Sequence, residues 1–194
     1  MTTFESYLKL GFNHIADLAA YDHMLFIVAL CAVYRAAQWK HILVLVTAFT
    51  IGHSLTLALA TLGIFVIPGD IVEFLIPLTI FVTAFLNIFE HVERAERRKM
   101  SWNYGLAMFF GLIHGMGFSN YLRMLLGDEE SLLQPLFAFN VGLELGQLLI
   151  VAVTMGAAYL VMNVFRAQHR EWNLFVSGAA AGISLLLMVD AKFW

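Results

Sequence analysis

Residues 41–62 read HILVLVTAFTIGHSLTLALATL, and this stretch decides the fold. As one helix it covers about 33 Å, enough to cross the hydrocarbon core of a bilayer. Past its midpoint sits His53, an imidazole at a depth where lipid makes polar groups costly and functional by default. Working outward, comparable apolar stretches occupy residues 20–37, 71–89, 104–126, 133–164 and 174–189. Between the second and third lies a turn, Gly63 to Asp70, containing Pro68-Gly69. The fifth is long enough to tilt or to project beyond the membrane. Residues 4–18 are too polar to span, so residues 1–19 are expected to form an amphipathic helix lying at the interface. The sequence thus predicts an all-α integral membrane protein of about six transmembrane helices plus that N-terminal helix. Residues 1–194 make one helical-bundle domain, with no linker or low-complexity segment.

Composition agrees. Of 194 residues, 61% are hydrophobic and 13% charged, and the mean hydropathy is +0.80. A surface facing water needs more charge than that, which makes the lipid bilayer the natural solvent. Cys31 is the lone cysteine, which excludes an intramolecular disulfide and a cysteine-based metal site. The N-terminal residues lack a basic region followed by a short apolar run, so no cleavable signal peptide is expected. Basic residues are few and follow topology, which disfavours nucleic-acid binding.

Lys and Arg set the orientation. Arg35, Lys40, Arg94, Arg97, Arg98, Lys99, Arg166 and Arg170 fall on one side, against Lys9, Arg123 and Lys192 on the other. Both termini are therefore expected to be non-cytoplasmic, with Trp39, Trp102 and Trp172 at the cytoplasmic boundary.

On this topology the polar groups gather in the outer half. Asp22 and His23 open the first span, His53 lies in the second, Glu73 starts the third, and His114 and Asn120 lie in the fourth. Asn140, Glu144 and Gln147 enter with the fifth at i, i+4, i+7 and share one face. Imidazoles with nearby carboxylates form an N/O donor set suited to a divalent transition metal ion, namely Ni, Zn, Co or Cu(II). Gly52 beside His53, and Gly111, Gly115 and Gly117 around His114, let helices approach closely or break to offer carbonyls. The second and fourth spans share Phe-x-x-x-His, as Phe49 to His53 and Phe110 to His114, a hint of a repeat. On one continuous helix, His14 and His23 would stand roughly 13 Å and half a turn apart. Either the chain breaks near Ala19-Ala20 and folds His14 back over the site, or His14 serves the vestibule.

The plainer readings divide the list. Thr47, Thr50, Ser54, Asn87 and Ser119 are expected to hydrogen-bond between helices. Asn140 and Gln147 fit either role, and Glu73 lies near the interface. Asp128-Glu129-Glu130 reads as a solvated loop.

Gly11-Phe-Asn-His14-Ile with Tyr21-Asp22-His23-Met-Leu-Phe26 resembles the first motif of the HupE/UreJ family of hydrogenase and urease accessory membrane proteins. Thr47-Ala-Phe-Thr-Ile-Gly-His53-Ser-Leu-Thr-Leu resembles its second helix, and Phe110-Gly-Leu-Ile-His114-Gly-Met-Gly-Phe its fourth. The resemblance implies a six-helix bundle in a bacterial inner membrane that handles a divalent metal, usually nickel for metalloenzyme maturation. Maturation proteins would then be its partners, and a homo-oligomer stays open. The matching positions are His14, Asp22, His23, His53 and His114. Two features depart from the nickel-linked branch. The spacing from His14 to Asp22 is longer here, and Ser119-Asn120-Tyr121 stands where that branch has an acidic residue. Glu144 could supply the missing carboxylate.

Three functions compete. The first is a transporter that binds the ion between Asp22, His23, His53, His114 and a carboxylate, then passes it inward by Asn87, Glu90 and His91. The second is an intramembrane metal-dependent hydrolase in which Glu73 or Glu144 is the general base. No Gly-x-Ser-x-Gly motif supports a metal-free one. The third is a non-enzymatic metal sensor or accessory protein.

Overall fold

The computed structural model describes residues 2–17, 21–64, 67–89, 100–126 and 132–194. Outside them lie Ala19 and Ala20, Glu90 and His91, the basic run 94–99, and Asp128, Glu129 and Glu130; so does the side chain of Asn120. The described residues are helical with no strand. In chain order the helices are α1 (Thr3–Ala16), α2 (Asp22–Ala32), α3 (Trp39–Thr61) and α4 (Gly69–Phe89). They continue with α5 (Met100–Gly117), α6 (Ser119–Leu126), α7 (Leu133–Asn163) and α8 (His169–Asp190). A 3₁₀ turn, Ala36–Gln38, leads into α3.

Among the described residues, four segments are long and apolar enough to cross a membrane: Ala36–Thr61, Gly69–Phe89, Leu133–Asn163 and His169–Asp190. Their outward faces carry large apolar side chains such as Val153, Phe175 and Leu186, each more than 60% exposed. Water would not tolerate that surface, and lipid does.

The ends of these helices follow local chemistry. Thr2 and Glu5 close a reciprocal capping box on α1. Gly63, at φ 72°, ends α3 in the left-handed conformation that glycine adopts without strain. Two expected spans come out differently. Where residues 20–37 read as one helix, α2 covers only 11 residues. Residues 104–126 are interrupted at Phe118, which splits them into α5 and α6. The last helix begins at His169 rather than near Leu174, because Gln168 and Glu171 cap it there.

The N-terminal helix is also more than an interfacial element. It runs beside the first half of α7 in the same direction, with Leu8 against Gly142 and Ile15 against Gly146. A Cβ at Gly11 would strike the Phe139 carbonyl, and one at Gly142 the Leu8 carbonyl. Helices α3 and α5 repeat this arrangement. There a Cβ at Gly52 would strike the Met108 carbonyl, and one at Gly111 the Phe49 carbonyl. In both pairs a Gly-x-x-x-Gly helix (Gly142/Gly146 or Gly111/Gly115) meets a single glycine on its parallel partner. Such small-residue contacts bring backbones together where lipid gives no hydrophobic drive for association.

The third close pair, α4 and α8, is antiparallel and polar at one end. Asn173 donates to the Asn87 carbonyl at 2.7 Å, and Arg170 to the Ile88 carbonyl at 2.7 Å. At the other end Phe74 meets Phe193 and Trp194. Between them, Ala29 of α2 packs on Ala84, Ala180 and Ala181.

Candidate metal site

The break between α1 and α2 brings His14 beside His23, with ring centroids 4.8 Å apart. His53 reaches the same place from α3, 6.0 Å from His14 and 5.9 Å from His23. His114 arrives from α5, 5.0 Å from His23. Two imidazoles on one tetrahedral ion, with metal–nitrogen distances of about 2.0–2.1 Å, hold their centroids roughly 5 Å apart. The spacing therefore suits shared ligation. The ring planes, inclined by 51° to 78° to one another, do not yet converge. Among the described residues, no group of three or more His, Cys, Asp or Glu side chains already closes around a point suited to an ion. Turning the rings about their Cβ–Cγ bonds is what ligation would require.

Hydrogen bonding fixes which nitrogens are free. Asp22 accepts from the His23 backbone N–H at 2.8 Å and lies 2.9 Å from His23 Nδ1. The carboxylate accepts a hydrogen bond from Nδ1–H, which leaves the Nε2 lone pair unused. Thr79 donates its hydroxyl to the Ile76 carbonyl at 2.7 Å and stands 2.9 Å from His114 Nε2. With its one proton given to Ile76, Thr79 receives from Nε2–H, and in that tautomer His114 presents the Nδ1 lone pair. Nε2 of His14, Nε2 of His23, both ring nitrogens of His53 and Nδ1 of His114 are all buried without a hydrogen-bond partner. Buried polar atoms are normally paired, and several orphans at one point indicate a missing partner.

Asp22 thus orients an imidazole rather than standing among the lone pairs, a carboxylate–histidine arrangement common around bound metals. It also opens onto a hollow of about 330 Å³ lined by Tyr21, Glu73, Pro77 and Asp190. Glu73 lies at this rim, exposed. On the other side, His14 borders a hollow of about 770 Å³ with Asn13, Asp17, Phe118 and Tyr121.

The polar face of α7 is engaged elsewhere. Glu144 accepts from Thr47 at 2.8 Å and from Thr50, whose hydroxyl is also 2.8 Å from Gln147 Oε1. Ser54 donates to Asn140 at 2.6 Å. Asn140, Glu144 and Gln147 therefore form a polar seam between α7 and α3, as Thr47, Thr50 and Ser54 were expected to do. Asn87 likewise bridges helices, donating to the Ala29 carbonyl, whereas Ser119 bonds within its own chain turn to Met116. Thr50→Val keeps the side chain's shape but removes the hydroxyl that lies between Glu144 and Gln147. It is expected to destabilise the fold by about 1–3 kcal/mol, seen as a lower melting midpoint in detergent.

Four side chains have roles at the site that the sequence did not reveal. Thr79, two residues after the mid-helix Pro77, sets the His114 tautomer. Phe118, at the break between α5 and α6, lays its ring 4.0 Å from that of His14. Phe26 and Phe49 close the opposite side, at 5.3 Å and 5.1 Å from His114. The break itself left one signal, Gly115 and Gly117 just ahead of Phe118.

No curated protein and no solved structure matches this chain. One family model does: it is described as HupE / UreJ protein, and it matches residues 1–194, the full sequence. The chain belongs to the HupE / UreJ family of proteins.

Proposed function

We propose that the chain is a permease for a divalent transition metal of the nickel type. The observation that carries this reading is the set of buried, orphaned imidazole nitrogens on four helices, clustered around His23. Neutral imidazole is the commonest protein ligand for such ions. The ion is substrate here. It enters by the hollow beside Asp22, Glu73 and Asp190, whose carboxylates favour a cation. It then exchanges water for His23, His14, His53 and His114. In this reading α1 and α2 together make one broken pass, α5 and α6 another, and the chain crosses a bacterial inner membrane six times. The basic loops face the cytoplasm and both termini face away from it.

A hydrolase using the same ion needs a carboxylate free to take a proton beside it. Glu144 has both oxygens held by Thr47 and Thr50, and Glu73 sits at the exposed rim. Permeation is therefore the better-supported function.

The test is uptake of Ni²⁺, Co²⁺ and Zn²⁺ into proteoliposomes holding the purified chain. Saturable uptake of at least one ion is expected, and uptake no faster than in empty vesicles would overturn the reading. Asp22→Asn should keep the fold and weaken ion affinity by about 10–100-fold, since it unsettles only the orientation of His23.

A further inference from the structure

Three helices carry the same vertical pair. In α3 and α5, which run in parallel, Phe49 and Phe110 lie one turn before His53 and His114. In α2 the order reverses: His23 comes first and Phe26 follows. Helix α2 leads toward Arg35 and Lys40, from which α3 starts back, so the reversed order places all three phenylalanines on the same side of the histidines. That side faces the basic loops. A layer of phenylalanines thus underlies the layer of imidazoles.

The layer is closed at Phe26. Its ring stacks on Phe49 at 4.9 Å, meets Phe110 edge-on at 6.1 Å, and touches His114 at 5.3 Å. Phe26 and Phe49 are 1% exposed. Directly beyond, Phe26 and Phe110 form the wall of a chamber of about 70 Å³. The polar groups on its lining are Tyr34, Thr83, Asn87 and Asn103, which offer oxygen and amide in place of imidazole. Asn103 and Tyr34 already hydrogen-bond there at 3.3 Å. The chamber reaches Tyr34 and Asn103, near the end of α2 and the start of α5.

We propose that Phe26 is the barrier residue of the permeation path, separating the imidazole cluster from a mainly apolar chamber on the basic-loop side that carries Tyr34, Thr83, Asn87 and Asn103. This rests on the permease reading and gives it a path through the half of the bundle that otherwise looks apolar. A constriction of aromatic rings stops a hydrated ion by excluding its water. Helix α2 couples the barrier to the ligands, because His23 and Phe26 lie three residues apart on one face of a short helix. Beyond the barrier the ion meets harder oxygen donors, which hold a nickel-type ion less tightly than imidazole does and so favour release.

The experiment reads access to the chamber, without relying on transport. In a Cys31→Ala background, Ala107→Cys places a thiol on the chamber wall. Ag⁺ is added on the side away from the basic loops, and the thiol left unreacted is counted with a maleimide after solubilisation. With Phe26 intact the thiol should react slowly. With Phe26→Ala it should react roughly tenfold faster or more, and with Phe26→Leu at an intermediate rate. Ni²⁺ binding by each purified variant, within about threefold of the parent, shows that the cluster above remains folded. Should Phe26→Ala prove unstable, Phe26→Leu carries the comparison. Equal rates with and without Phe26, or rapid reaction with Phe26 present, would overturn the barrier. Failure of metal uptake with a clear rate difference would instead sink the permease reading and leave the barrier standing.

Discussion

His23→Ala is expected to abolish stoichiometric binding of divalent metal by the purified protein, and metal uptake with it. Of the four clustered imidazoles, only His23 is seen within 6 Å of each of the other three. It alone has its ring held by a carboxylate, so its lone pair is the best oriented. Losing Asp22 costs orientation, at about 10–100-fold in affinity, whereas losing His23 removes the donor and must cost more. The remaining rings, His14 and His53 at 6.0 Å on one side and His114 on the other, no longer share a common neighbour. Titration calorimetry with Ni²⁺ and Zn²⁺, beside elemental analysis of the purified variant, checks this. Retention of a full equivalent of metal by His23→Ala would show that the ion lies elsewhere. A normal melting midpoint should accompany the loss, because His23 makes no helix-bridging hydrogen bond through Nε2.

The largest effect on stability is expected from Gly111→Leu. Its side chain would be driven into the Phe49 carbonyl and the His53 backbone nitrogen, and neither can move without unwinding α3. The cost should reach or exceed the upper end of the roughly 1–3 kcal/mol typical of overpacking. Gly105→Leu, on the same helix, supplies the control. A Cβ there meets nothing within 4 Å, so the exchange should be neutral or gain up to about 1 kcal/mol from helix propensity. Melting midpoints in detergent for the two variants should therefore diverge in sign. A similar fall in both would mean that the α3–α5 contact is not close.

The long helices were legible because their apolar runs exceed the bilayer thickness without interruption: α3, α4 and α7 end within two residues of the lengths that hydropathy gives. The breaks between the shorter helices were not. Helix α1 carries Glu5, Lys9, Asn13 and His14, so averaging hydropathy along it hides the narrow face that Gly11 and Ile15 press against α7. Phe118 interrupts a run that remains apolar across the break, and hydropathy cannot register a change in backbone direction. The candidate ligands were legible as residues, since histidine inside an apolar run is conspicuous. Their roles required geometry. Nothing in sequence spacing says that Glu144 is held by Thr47 and Thr50, or that Thr79, 35 residues before His114, chooses which of its nitrogens is free. The Phe-x-x-x-His motif was visible in α3 and α5, but its third copy runs backwards in α2 and reads as His-x-x-Phe.

The pairing of α1 with α7 also bears on how the chain is made. Synthesis proceeds from the N-terminus, so α1 leaves the ribosome before α7, yet its glycine contact lies more than 120 residues downstream, at Phe139 and Gly142. Until α7 is inserted, Gly11 has no backbone to meet, and His14 has no fixed place. Helix α1 therefore docks only once α7 has been made, and the imidazole cluster is completed only when α7 is in the bilayer. A nascent chain stalled before Leu133 would hold His23, His53 and His114 but leave the fourth imidazole unanchored.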